Sequence, residues 1–165
     1  MGLLNFLLGP YYQSLFYFLF CIAIAGKYIK FKVILLGSLF LGIGEYAILA
    51  NIEEIWSAAV GLLFNVFILS FFCYSMKLVN GTVNMKIFKC AILAVIAFFA
   101  DAITQMLIFV PLGFMYSVSP LEVIYEKPLL VHLAYKSLQV MILFAVWEGE
   151  LKYAKKFLQK DNRLD

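Results

Sequence analysis

Charge is scarce in this chain of 165 residues: Asp, Glu, Lys and Arg make up 14% of it, and histidine occurs once, at His132. Ten acidic and thirteen basic residues gathered in clusters cannot clothe a water-facing surface, which excludes a soluble enzyme or a nucleic-acid-binding domain. One histidine excludes a paired-histidine zinc site, and three scattered cysteines form no CxxC pair. There is also no P-loop, no GxSxG elbow and no dinucleotide fingerprint, so neither catalysis nor a cofactor or metal is expected. What is abundant is apolar surface. Apolar and aromatic residues reach 65%, against roughly 45–50% in an ordinary soluble domain, and the mean hydropathy is +0.96. The expected partner of such a chain is the lipid bilayer, and the expected location a cell membrane.

A hydrocarbon core of about 30 Å is crossed by about 20 helical residues. Dividing the chain at its charges and turn residues yields five such stretches: Leu3 to Gly26, Val33 to Ala50, Ile55 to Tyr74, Cys90 to Met115, and Leu129 to Trp147. The fold class expected is therefore all-α, a polytopic transmembrane bundle over residues 1–147 followed by a charged cytoplasmic helical tail over 148–165. Pro111 lies inside the fourth stretch, and two readings stay open there: a continuous helix, or a break into a helix plus a re-entrant piece.

The basic residues alternate between loops. Lys27, Lys30, Lys32, Lys77, Lys86 and Lys89 follow spans one and three, and five more basic residues lie in the tail. The other two loops carry Glu53, Glu54, Glu122 and Glu126 with Lys127 alone. By the positive-inside rule the N-terminus is outside and the C-terminus cytoplasmic, which requires an odd number of spans. The first segment has neither a basic leader nor a small-residue cleavage site and is expected to be retained as a helix. Phe6 stands where a myristoylation signal needs Ser or Thr. Cys21, Cys73 and Cys90 fall near the cytoplasmic span ends, where reducing conditions predict free thiols.

An ionisable side chain facing lipid costs about 2.5–3.5 kcal/mol, so the few inside the spans need a partner or a task. Glu45, Asp101 and Lys136 lie at overlapping depths. His132 stacks one turn from Lys136, and Gln105 one turn from Asp101; Gln139 is close to the Lys136 face, and Asn65 adds an amide to span three. Converging, Glu45, Asp101, Gln105, His132 and Lys136 make a ligand-binding cluster of acid, base and amide reachable from outside. The alternatives are a buried ion pair of Lys136 with Asp101 or Glu45 that only sets helix register, and proton or ion coupling. Ser38 with Gly42, Ser57 with Gly61, and the Ala91, Ala94, Ala97, Ala100 face permit close helix approach within the chain. Tyr11, Tyr12, Tyr28, Trp56, Tyr116, Tyr125 and Trp147 read as an interfacial belt. The run Gly42-Ile43-Gly44-Glu45 resembles the Gly-x-Gly-Asp element of intramembrane aspartyl proteases, with Asp101 as second carboxylate. It departs from that element by carrying Glu in place of Asp, and no enzyme is expected.

In the tail, Trp147, Leu151, Ala154 and Leu158 form an apolar stripe interleaved with Lys155, Lys156 and Lys160, which suits a basic surface anchor or the start of a coil reaching a partner. From Asp101 through Ile108, Ser119, Leu129 and Leu130 to Leu143, followed by the charged segment, the chain resembles the membrane sensor region of quorum-sensing histidine kinases of the AgrC and GHKL type, without the kinase domain. That resemblance implies an outer ligand, with a peptide among the candidates, and a signal to a cytoplasmic partner. The residues alone leave two other functions open: a substrate-binding membrane subunit of a small-solute transporter, and an assembly or immunity protein acting on another membrane protein.

Overall fold

The apolar runs fold as helices because Gly and Pro seldom interrupt them. In a computed structural model, which describes residues 6–27, 29–52, 54–116 and 128–148, the described chain is all-α. A π-helical turn, Leu7–Tyr11, leads into α1 (Tyr12–Ala25); α2 (Phe31–Asn51), α3 (Glu54–Ser75), α4 (Val83–Tyr116) and α5 (Pro128–Glu148) follow. Proline opens α5, where its missing N–H costs nothing.

Two expectations change, and one open choice is decided. The first apolar stretch is not one helix, because Gly9 adopts non-helical angles (φ −99°, ψ −105°) and Pro10 lacks the donor that would carry the ladder across. The fourth begins seven residues earlier than Cys90 and brings Lys86 and Lys89 into the helix. The Lys89 side chain is 1% exposed, and its ammonium reaches back to the Asn80 carbonyl at 3.0 Å, so its stem packs while its charge ties down the turn. At Pro111 α4 continues unbroken to Tyr116, and of the two readings the continuous one holds. With 34 residues, or about 50 Å, the helix has a long ladder ahead of Pro111, which lies near its end and removes one bond.

Two helices, over Phe31–Ile48 and Val83–Met115, are long and apolar enough to cross a membrane. Gly9–Ala25, Ala59–Ser75 and Leu133–Trp147 are shorter apolar helices. Each of these three begins where the preceding side chains fall outside the described ones. The loop with Pro120, Glu122, Glu126 and Lys127, the side chain of His132, and the tail beyond Glu148 also lie outside the described residues.

The helix α1 is the centre of the bundle and packs against all four others. Ten of its fourteen residues are buried, as expected of a helix that is apolar all round. Phe18 meets Phe72 of α3 edge to face at 4.2 Å, a geometry that aligns ring edge with ring face. Ala94 and Ala97 of α4 are fully buried in the same core, and Cys21, Cys73 and Cys90 are free and buried. Gly42 of α2 lies against the Tyr11 backbone, so the Ser38 and Gly42 pair serves a helix contact within the chain. The outer faces are apolar: Leu63, Phe67, Phe71, Met106, Phe114 and Met141 are each at least 65% exposed.

At the end of the bundle where α1 and α3 finish, Gly26 (φ 62°) supplies the left-handed residue that ends α1. Lys77 (φ 53°) does the same for α3, with the Leu78 N–H bonded to the Cys73 carbonyl at 2.9 Å. The Lys27 ammonium donates to the Lys77 carbonyl. Cations thus meet the partial negative charge of helix C-termini.

Candidate functional site

Each polar side chain of the site belongs to a largely apolar helix, so its partners come from the residue four positions away on the same helix or from neighbouring helices. Asp101, in the second half of α4, is 1% exposed and collects five donors. Its Oδ2 accepts from Gln13 Nε2 at 2.6 Å, from the Tyr17 hydroxyl at 3.0 Å and from Gln105 Nε2 at 3.1 Å. Its Oδ1 accepts from the Tyr135 hydroxyl and from Gln139 Nε2, the latter at 2.6 Å. A carboxylate offers about four lone-pair positions, so Asp101 is saturated.

Three pairs spaced i, i+4 build this arrangement: Gln13 and Tyr17 on α1, Asp101 and Gln105 on α4, Tyr135 and Gln139 on α5. The pairs also bond among themselves. Gln13 Nε2 donates to the Tyr17 oxygen at 2.8 Å, and Gln139 Nε2 to the Tyr135 oxygen at 2.7 Å. Such a network, fully satisfied at its centre, fixes the mutual rotation of three helices.

Glu45, near the end of α2, is 7% exposed and forms a second, sparser set. Asn65 Nδ2 of α3 donates to its Oε1, and the Ser14 hydroxyl reaches Oε2 at 3.3 Å while also lying 2.8 Å from the Pro10 carbonyl. Two buried acceptors, Asn65 Oδ1 and Gln139 Oε1, have no donor among the described residues.

Both carboxylates line one cavity of about 590 Å³, within the range of small-molecule pockets. Gln13, Tyr17, Asn65 and Gln105 complete its polar wall, and Gly9, Pro10, Ile48, Gly61, Leu62, Phe98 and Ala102 its apolar one. Among the described residues the lining comes from the π-helical turn and α1 to α4 and contains no Lys or Arg.

Of the residues singled out in the sequence, Glu45, Asp101 and Gln105 thus come together, as does Asn65. Gln139 reaches the site through Asp101. Lys136 is not part of the lining: its ammonium sits 3.7 Å from the centre of the Tyr12 ring, while the Tyr12 hydroxyl donates to the Lys136 carbonyl at 3.3 Å. Gln13, Ser14, Tyr17 and Tyr135 were not foreseen. Their signal was present, since a phenol or amide in the middle of an apolar helix needs a partner, and four-residue spacing couples Gln13 to Tyr17 and Tyr135 to Gln139. Compared with models of protein families, with curated proteins and with solved structures, the chain matches none.

Proposed function

We propose that the chain is an integral membrane receptor module that binds a small ligand, or the end of a peptide, from outside and passes the event through α5 to a cytoplasmic partner. The observation that carries this reading is the double role of Asp101, which lines the cavity and also accepts from Tyr135 and Gln139 on α5. A ligand that displaces or recruits any of the Asp101 donors, or sets a charge beside Asp101, changes what holds α5, and α5 leads into the charged C-terminal segment.

The bilayer setting is supported by the exposed aromatic and aliphatic faces, by the two long apolar helices and by basic residues gathered at one end. In this reading all five helices cross, with the N-terminus outside. The cavity then lies in the outer half, beside the start of α1 and the end of α2. No chemistry is assigned to the two carboxylates, because a proton-sharing dyad needs open acceptor positions on both and those of Asp101 are taken.

Orientation is checked by labelling. Thr82 is exposed in the turn before α4 and the native thiols are buried, so Thr82→Cys in intact cells should react only with membrane-permeant maleimide. Reaction with an impermeant reagent from outside overturns the orientation.

Gly61 tests the cavity. A Cβ built there meets nothing within 4 Å and Gly61 lines the cavity, so Gly61→Leu is expected to take up cavity space. Native mass spectrometry of the full chain in lipid nanodiscs should find a small species retained by the wild type and missing from Gly61→Leu, with amide exchange in α5 slower in the loaded wild type. Equal occupancy in both forms, no retained species in the wild type, or identical exchange in α5 overturns the receptor reading.

A further inference from the structure

Resting on the cavity as a ligand site, we propose that it takes a primary ammonium group carried on an apolar body, held by Glu45 and the carbonyl oxygen of Asn65. The argument is an inventory of donors and acceptors. On the polar wall both N–H groups of Gln13 and the Tyr17 hydroxyl are already spent, on Asp101 and on one another, Gln105 gives its own to Asp101 and at 3.5 Å to Tyr135, and Asn65 gives one of its two to Glu45. What remains open is mostly acceptor capacity. Glu45 receives two donors, one of them long at 3.3 Å, where a carboxylate can take about four. Asn65 is 4% exposed and its Oδ1 has no donor among the described residues, although an unmet buried acceptor is costly.

An alkylammonium brings three donors and one positive charge to this place: the charge answers the unfilled carboxylate, and a spare donor is there for the Asn65 oxygen, which lies shielded in the same wall. A carboxylate or phosphate ligand would set acceptor against acceptor and add negative charge beside two acidic residues, a juxtaposition that is repelled in a water-poor site. A neutral alcohol brings one donor and no charge. The remainder of the wall, with Pro10, Ile48, Leu62 and Phe98, is apolar and suits a hydrocarbon or aromatic body. Asp101, already saturated, adds its field and does not need to contact the cation directly.

The test is calorimetric titration of the full chain in lipid nanodiscs, with empty nanodiscs as baseline and three probes of one shape: 2-phenylethylammonium, 2-phenylethanol and 3-phenylpropanoate. The ammonium should bind saturably, and the alcohol and carboxylate at least about tenfold more weakly, the scale set by a charge-assisted hydrogen bond. Glu45→Gln, which keeps shape and removes charge, should weaken the ammonium at least about tenfold, Asn65→Leu should weaken it, and Gly61→Leu should abolish binding. Unchanged affinity in Glu45→Gln, equal affinity for the three probes, or no binding of the ammonium overturns the assignment. So does sodium ion binding that depends on Glu45 in the absence of ammonium binding. If the alcohol or carboxylate binds instead and Gly61→Leu removes it, the ammonium class falls and the cavity stands. If every form keeps the same copurifying species, the receptor reading falls as well.

Discussion

Asp101→Leu should lower the unfolding free energy of the bundle by about 2.4 kcal/mol, because four donors from α1 and α5 lose their acceptor at once and interhelical hydrogen bonds between membrane helices average about 0.6 kcal/mol each; Gln105, on α4 itself, loses a bond within the helix. Leucine keeps the branched shape and the number of side-chain heavy atoms and restores none of the bonds. Asp101→Asn keeps one carbonyl oxygen and should lose about half as much. Thermal or denaturant unfolding in one fixed detergent reads both. A change within error for Asp101→Leu would mean that the network is not formed. The loss should also be non-additive with Gln139→Leu, since removing a donor after its acceptor has gone costs little more.

Gly42→Ala is expected to cost about 2 kcal/mol, within the range for forcing an extra carbon into a packed place. A Cβ on Gly42 would stand 2.9 Å from the Tyr11 Cα and 3.1 Å from its backbone nitrogen. Backbone atoms cannot rotate aside as a side chain can, so α2 and the π-helical turn have to separate. That contact also positions Gly9 and Pro10 in the cavity wall. The same substitution at Gly61 meets nothing within 4 Å and should be neutral or gain up to about 1 kcal/mol from the loss of glycine's backbone freedom. Unfolding of both variants in one detergent gives the comparison, and equal effects at the two positions would refute the packing argument.

Helix existence was legible from composition, because apolar stretches bounded by charges and turns left few other folds. The boundaries of α2, α3 and α5 fall within a few residues of those expected, since charge and turn residues mark them directly. Two ends were not legible. The break at Gly9 and Pro10 lies in a run as apolar as its surroundings, and Lys86 and Lys89 looked like loop residues because a sequence does not show that the Asn80 carbonyl will receive the Lys89 ammonium. Pro111 carried conflicting signals, and the length of α4 decided between them.

Much the same division runs through the site. That Glu45, Asp101 and Gln105 needed partners followed from their cost in an apolar segment, and the four-residue spacing of Asp101 and Gln105 put them on one face without reference to any neighbour. Which groups answer that need did not follow. Asp101 is met by two tyrosines and three glutamines, and Lys136 is set over Tyr12. The rotation of α1, α4 and α5 about their axes decides which side chains meet, and it is set by packing between residues far apart in the chain. Composition and spacing thus determined an all-α fold for the described residues with a small polar minority at fixed positions; tertiary packing alone decided that Glu45 and Asp101 share one cavity, that Asp101 binds α5, and that Asn65 Oδ1 has no donor among the described residues.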